Sequence, residues 1–446
     1  MKKYNRSLIA AIAMLGIVLP ATAQEVHLSL SEALTMAKAK NKAMQVQLLE
    51  EKVSKMETLE SRSDLLPTLS AQGSYAHYFE RQVIFMPGAF VGDENTPVVD
   101  VAVGGKNAVN GYLAFQQPLL SESARRQVKT ATLGEAFQAQ ETRAFRARLT
   151  AEVTTTYLRA LLLSESLKLN QQSLERNVRS LEDSQSLLSQ GKGLKVDTLR
   201  SFIAVENLRS SISYLQNQYE TTLLHLARII GLESAETIVL IDNLEIDEGI
   251  MIFGSTAAGE AEIAANRPDL QQIRLRVEIG ESMMSQTKAQ KLPTITMMGA
   301  YQLQAQSFDL SFSRWPGTSF LGIQAYVPIF SGNKINSRLG KASVMLQQSE
   351  LALQDLSQKA AIEVQSHEND LREGLRRLEI HDNTVEAAKV NFAMVNERFQ
   401  SGLSSRLELT DAELALTESR MNQLQAFYKV RIAKLEYDQA LGLLSE

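Results

Sequence analysis

Glu408 and Asp411 are the two side chains in this 446-residue sequence whose type and spacing best suit a shared electrostatic task. Three positions apart, they fall on one face of a helix. Asp197 stands where Glu408 would fall in an earlier copy of the same pattern, and Arg200 replaces the second acid. A basic residue precedes each aligned acid by two positions, Lys195 in one case and Arg406 in the other. Carboxylates so paired attract cations; the plainer alternative is a solvated helix face, where most exposed carboxylates belong. Catalytic arrangements are lacking. The five histidines, His27, His77, His225, His367 and His381, have no paired zinc spacing. There is neither a Gly-x-Ser-x-Gly elbow nor a phosphate-binding glycine loop. Met283-Met284 and Met297-Met298 would suit soft ions but are also ordinary packing material. An enzyme, a cofactor and a bound metal are therefore not expected.

Long helices must position the acidic pair. Ser121 to Gln190 contains no proline and only Gly134, which at ~1.5 Å per residue is roughly 105 Å of helix. Asn333 to Gln400 is a second such run. Leu167, Leu174, Leu181 and Leu188 recur by sevens, as do Leu371, Leu378, Val385, Phe392 and Phe399, which predicts left-handed coiled-coil packing. Shorter helices are expected over Ser31 to Leu65, Val196 to Ile230, Pro268 to Lys291 and Leu407 to Leu441. Two glycine turns reverse the long runs: Gln190-Gly191-Lys192-Gly193-Leu194 and Gln400-Ser401-Gly402-Leu403-Ser404. Glycine suits them because the chain reverses there through positive φ.

Much of this is said twice. Leu66-Pro67-Thr68-Leu69-Ser70 returns as Leu292-Pro293-Thr294-Ile295-Thr296 at an offset of 226, and Gly191 and Gly231 return as Gly402 and Gly442 at 211. The unit is too long for a solenoid and reads as a duplicated half, 24–232 and 233–446. Each half also carries two alternating segments, within 68–120 and 294–330. Leu69, Ala71, Gly73, Tyr75, His77 and Phe79 oppose Ser70, Gln72, Ser74 and Glu80; Leu321, Ile323, Ala325 and Val327 alternate with Gly322, Gln324 and Tyr326. Ten-residue segments with one apolar and one polar face predict outer-membrane β-strands; two half-buried soluble hairpins would carry the same alternation. The connection near Val83 to Lys106 is expected to be an exposed loop, longer than its counterpart near Ser307 to Thr318.

Residues 1–23 read as a secretory signal: Lys2, Lys3 and Arg6, an apolar Leu8–Leu19 and a small-residue site at Ala21-Thr22-Ala23. With no cysteine, disulfides, thiolate metal sites and a lipid anchor on cysteine are not expected. The formal net charge of −5 argues against a nucleic-acid partner. Four strands cannot close a barrel, and an open sheet edge is untenable in lipid. Several copies must therefore share one barrel, and three copies, giving twelve strands, leave room for a pore.

The two leucine-proline-threonine strand entries, Arg267-Pro268-Asp269-Leu270, Val327-Pro328-Ile329-Phe330-Ser331-Gly332 and the two turns followed by acids resemble the TolC-type outer-membrane efflux proteins over essentially the whole mature chain. The resemblance implies a mainly α protomer with a membrane β portion. Three copies would form a 12-stranded β-barrel in outer-membrane lipid on a 12-helix α-barrel, with a mixed region near Leu232 to Ala265 and the C-terminal end. It implies the exit duct of a tripartite multidrug efflux pump, with a periplasmic adaptor and an inner-membrane transporter; a type I protein-secretion duct would share the fold. It further implies that Glu408, Asp411 and Asp197 ring a periplasmic constriction, with Phe399 as an aromatic gate; Lys195 and Arg406, each two positions before an acid, are candidate ties that would hold the aperture shut. Gly191, Lys192, Gly193, Leu194, Gly402, Leu403, Ser404 and Ser405 would be adaptor-docking tips.

Overall fold

The structure is a computed structural model that describes residues 25–92, 95–232, 237–244, 263 and 265–445. The expected signal at 1–23 and most of the expected mixed region near 232–265 lie outside them. In chain order the elements begin β1 (Glu25–Leu28), α1 (Leu30–Lys40), α2 (Lys42–Ser63), β2 (Thr68–His77), β3 (Gln82–Met86), β4 (Val99–Val103) and β5 (Asn107–Leu120). There follow α3 (Glu122–Ser189), α4 (Lys195–Ile230), β6 (Thr237–Leu240) and α5 (Pro268–Ala289). The chain ends with β7 (Thr294–Ser307), β8 (Gly317–Tyr326), α6 (Lys334–Gln400) and α7 (Arg406–Ala440). It divides into two compact units. The first comprises Met1–Lys42, Leu149–Gly254 and Glu368–Glu436, and the second Ala43–Arg148, Ser255–His367 and Tyr437–Glu446.

The second unit holds a four-stranded antiparallel sheet in the order β2-β5-β7-β8. Its register sets Leu69 opposite Phe115, Ala71 opposite Leu113, Leu113 opposite Tyr301, Met297 opposite Ile323 and Gly299 opposite Leu321. Directly opposed residues share a face, so one face is mainly apolar, with His77, Asn107 and Ser319 among its polar members. The other carries Ser70, Gln72, Asn110, Gln116, Gln302 and Gln324, and none of the four strands contains Asp, Glu, Lys or Arg. Leu69, Leu321 and Ile323 are exposed on the apolar face, as suits side chains that meet lipid. The pairing of β5 with β7 shifts register between Pro118 and Leu120, where proline withholds a ladder N–H.

Three expectations need correction. The segment near Val83 to Lys106 is not a plain loop: β3 and β4 pair antiparallel from Gln82↔Val103 to Met86↔Val99. Pro87-Gly88 and Pro97 delimit this ribbon instead of dissolving it. Strand β2 stops at His77, short of Phe79. The helix expected over Ser31 to Leu65 breaks at Asn41, whose backbone turns extended (φ −60°, ψ 125°).

In the first unit β1 pairs parallel with β6. Helix α1 starts in a capping box, with Ser29 and Glu32 satisfying each other's backbone N–H groups. Tyr157 of α3 is wholly buried; its hydroxyl lies 2.9 Å from Leu28 O and 2.8 Å from Asp242, and its single proton serves the two acceptors between them. Asp242 also accepts the first N–H of α1, that of Leu30, at 2.8 Å. Burial, then the Asp242 carboxylate, pushes the Tyr157 phenol well above its ordinary value, so it remains a donor.

One joint is built twice, once in each unit. Gly231 ends α4 at φ +73°, and a Cβ there would sit 2.7 Å from Lys40 O. Gly442, beyond α7, has φ +79°, and a Cβ there would sit 2.6 Å from Asn266 C. The Asn41 amide donates to Ile229 O at 2.7 Å, and the Arg267 guanidinium donates to Ala440 O at 3.3 Å. Only glycine combines the left-handed turn with so close an approach.

Candidate functional site

Both helical hairpins turn on a left-handed glycine, Gly191 at φ +70° and Gly402 at φ +75°. At the first turn, Lys192 and Gly193 donate their N–H groups to Leu187 O at 2.9 and 3.0 Å. At the second, Leu403 donates to Arg398 O at 2.8 Å. These bonds satisfy the carbonyls that a helix end leaves free. Gly193 has no room for a side chain, since a Cβ would meet Leu188 N at 3.0 Å. Leu194 and Leu403 stand exposed beside their turns, and Lys192 and Ser405 are exposed, with Ser404 half-buried.

Glu408 lies in the first turn of α7, where acidic residues complement the helix dipole. It accepts from the Ser404 hydroxyl and from the Ser405 N–H at 3.4 Å, while Ser405 Oγ accepts the Glu408 N–H at 3.2 Å. The Ser404 bond, then the Ser405 backbone bond, holds its carboxyl below the ordinary glutamate value. Asp411 follows on the same helix and is exposed. The pair is thus displayed to solvent, with Glu408 fixed by its cap.

Arg406 behaves otherwise. Its guanidinium donates to the backbone oxygen and the hydroxyl of Ser180 on α3, and lies 5.2 Å from the centre of the Phe399 ring. Burial lowers its pKa, opposed by the charges of Asp183, Glu413 and Asp197. Arg406, Phe399 and Asp197 are therefore neighbours. Among the described residues neither Lys195 nor Arg406 forms an ion pair with the acid two positions on; the tie that exists runs from α7 to α3.

That tie ends a longer polar seam. On α3, Ser166, Asn170, Ser173, Asn177 and Ser184 are buried, with Ser180 half-buried, at alternating spacings of four and three. Facing them on α7, Ser166 meets Met421 and Ser173 meets Thr417, both at 3.5 Å. Asn177 donates to Glu413 at 3.3 Å. Glu413, itself buried, pairs with Arg176 at 2.9 Å. A groove of about 500 Å³ flanks the seam, bounded by Asn177, Arg200, Ile203, Leu208, Glu413 and Leu414. Heptad reading of α3 had selected the leucines. Leu167 is buried, but Leu174 and Leu181 are only half-buried and Leu188 is exposed. In α6 the same reading fares better: Leu371, Leu378 and Val385 are buried, while Phe392 and Phe399 are half-buried. Arg176 and Glu413 were missed; the signal was a heptad of Ser, Asn and Thr, to which hydrophobic periodicity is blind. Among the described residues no His, Asp and Glu cluster could hold a metal ion.

The family model described as outer membrane efflux protein matches residues 33–232 and 261–443. The chain belongs to the outer membrane efflux protein family. Similar members include the alkaline protease secretion protein AprF of Pseudomonas aeruginosa, 24% identical over 319 residues, which are 70% of this chain and 65% of AprF. The pyoverdine export outer membrane protein OpmQ of Pseudomonas putida is 22% identical over 66% of this chain and 62% of its own. The chain thus spans slightly less than two thirds of the length of either relative. Among solved structures, CusC superposes with a TM-score of 0.77 at 17% identity, covering 94% of this chain and 92% of CusC. This efflux-family chain is accordingly an outer-membrane protein whose long helices extend into the periplasm, and the family is one of channels. Strand β2 begins at the sheet end joined to α2 and finishes at the end that leads into the β3–β4 ribbon, called here the outer end of the sheet.

Proposed function

We propose that three copies of this chain close one twelve-stranded barrel and act as a passive exit duct for small molecules. A periplasmic adaptor and an inner-membrane transporter would deliver the cargo. One observation carries the reading. The sheet has a mainly apolar face, an uncharged polar face and two open edges, β2 and β8. Unpaired edges are not tolerated in lipid, and β2 runs opposite to β8, so the two can pair between copies. Three copies make a lumen lined by Gln, Ser, Thr and Asn, wide enough to hold water. With no site for a nucleotide in the sequence, direction must come from the transporter.

At the periplasmic end, Glu408 and Asp411 of three copies would converge as an acidic ring that favours cations. Arg406 would hold the aperture narrow through Ser180 and Phe399. The turns at Gly191–Leu194 and Gly402–Ser405 offer exposed Leu194 and Leu403 to the adaptor. The native mass of the detergent-solubilised protein tests the trimer. A monomer would overturn the shared barrel. Protein secretion is the second reading, favoured by the similarity to AprF. Loss of drug resistance on deletion, with secretion intact, selects efflux; the reverse selects secretion.

A further inference from the structure

Among the described residues the β3–β4 ribbon pairs with no third strand; at its base Arg81 lies 5.1 Å from the ring centre of the same chain's Phe308, and the ribbon beyond that contact is bare. Ile84 and Val101 share one of its faces, and Val83 and Phe85 share the other. Phe85, Val83 and Ile84 are exposed, as is Phe90 in the turn between the strands. A two-stranded ribbon apolar on both faces is marginal in water and a liability if left bare. The β7–β8 connection carries a second exposed set, Phe308, Leu310 and Trp315. Each set also bears an unpaired charge. Among the described residues neither Asp100, on the Phe85 face of the ribbon, nor Arg314, beside Trp315, has an ion-pair partner.

The topology says where these sets meet. The ribbon springs from the outer end of β2, one open edge, and the 308–316 connection leads into the outer end of β8, the other. When β2 of one copy pairs with β8 of the next, the ribbon of the first stands over that connection of the second. We propose that the β3–β4 ribbon packs on the β7–β8 connection of the neighbouring copy, joining the subunits outside the membrane. Phe85 and Val83 meet Leu310 and Trp315, and Asp100 pairs with Arg314. Repeated three times, this head-to-tail contact closes on itself. It rests on the trimeric reading above.

The chain has no cysteine of its own, so introduced pairs report cleanly. Phe85→Cys with Leu310→Cys, treated in outer membranes with a short bis-maleimide, is expected to give covalent dimers and trimers on denaturing gels, with none from either single variant. Thr68→Cys with Tyr326→Cys, across the two sheet edges, is the control. If the edge pair cross-links and the ribbon pair gives monomer alone, the clasp is wrong and the barrel stands. If neither cross-links, the shared barrel fails first. Should the cysteine pair not assemble, charge reversal decides. Asp100→Arg and Arg314→Asp each lower the trimer's thermal midpoint, and together they restore it. No restoration overturns the pairing.

Discussion

Helix α7 packs on two neighbours in the first unit through seams of opposite material. Toward α3 it presents Arg406, Glu413 and Thr417 to Ser180, Asn177 and Ser173. Toward α6 it sets Val430 against Gly374, where a Cβ would sit 3.2 Å from the valine, and Gln423 donates to Asp382 at 2.7 Å. Leu371, Leu378 and Val385 of α6 are buried, as are Ala426, Val430 and Ala433 of α7. Parting an apolar seam re-exposes side chains worth about 1.5–3 kcal/mol each. Parting a hydrogen-bonded seam exchanges partners for water, at about 0.5–1.5 kcal/mol per neutral bond. The α6–α7 pair is therefore expected to move as one body, and the α3–α7 seam to be where it lets go.

Substitutions can break that contrast. Leu371→Ala should cost about 2–5 kcal/mol of stability, measured by denaturant or thermal unfolding in detergent. Asn170→Ala, on the polar seam, should cost about 1 kcal/mol. Equal losses would show that the two seams do not differ. Glu413→Ala should fall between them, at about 1.5–3 kcal/mol, because it strands the partly buried Arg176. Arg406→Ser frees the tip end of the polar seam, so single-channel conductance in planar bilayers should rise with little change in stability. An unchanged conductance would remove Arg406 from the gate. Tyr157→Phe, outside both seams, should cost about 1 kcal/mol by removing the one proton that Leu28 O and Asp242 share.

The smallest effect is set by pH. The Glu408 carboxyl is held below its ordinary value of 4.5 by Ser404 and Ser405. A depressed acid contributes fully above that ordinary value and loses its contribution as pH falls through the lower folded value. The second tip should therefore be indifferent to pH from 7 down to about 5 and loosen only in stronger acid. Glu408→Gln should abolish that acid step, read as the pH dependence of conductance.

Much of this architecture was legible in the chain. Alternation of period two placed the four strands and divided their faces, because a lipid-facing residue must be apolar at every second position. Glycines with positive φ marked both hairpin turns. The α3 seam was illegible because Ser, Asn and Thr at seam positions look like surface, and what buries them is α7, more than two hundred residues away. The β3–β4 ribbon was hidden by Pro87, Gly88 and Pro97, which read as loop. Arg406 stands out in the sequence two positions before Glu408, but its acceptor, Ser180, lies on a helix that local spacing does not reach.

The joint at Gly231 and again at Gly442 bears on ancestry as much as on packing. A half-length chain with one such joint would need six identical copies to enclose the wall proposed for three full chains. Fusing two halves removes three encounters from assembly and lets the halves diverge. Arg200 already stands where the other half keeps Asp411. The two glycines have had no such liberty, since any side chain at either would push a helix end off the residue it rests on.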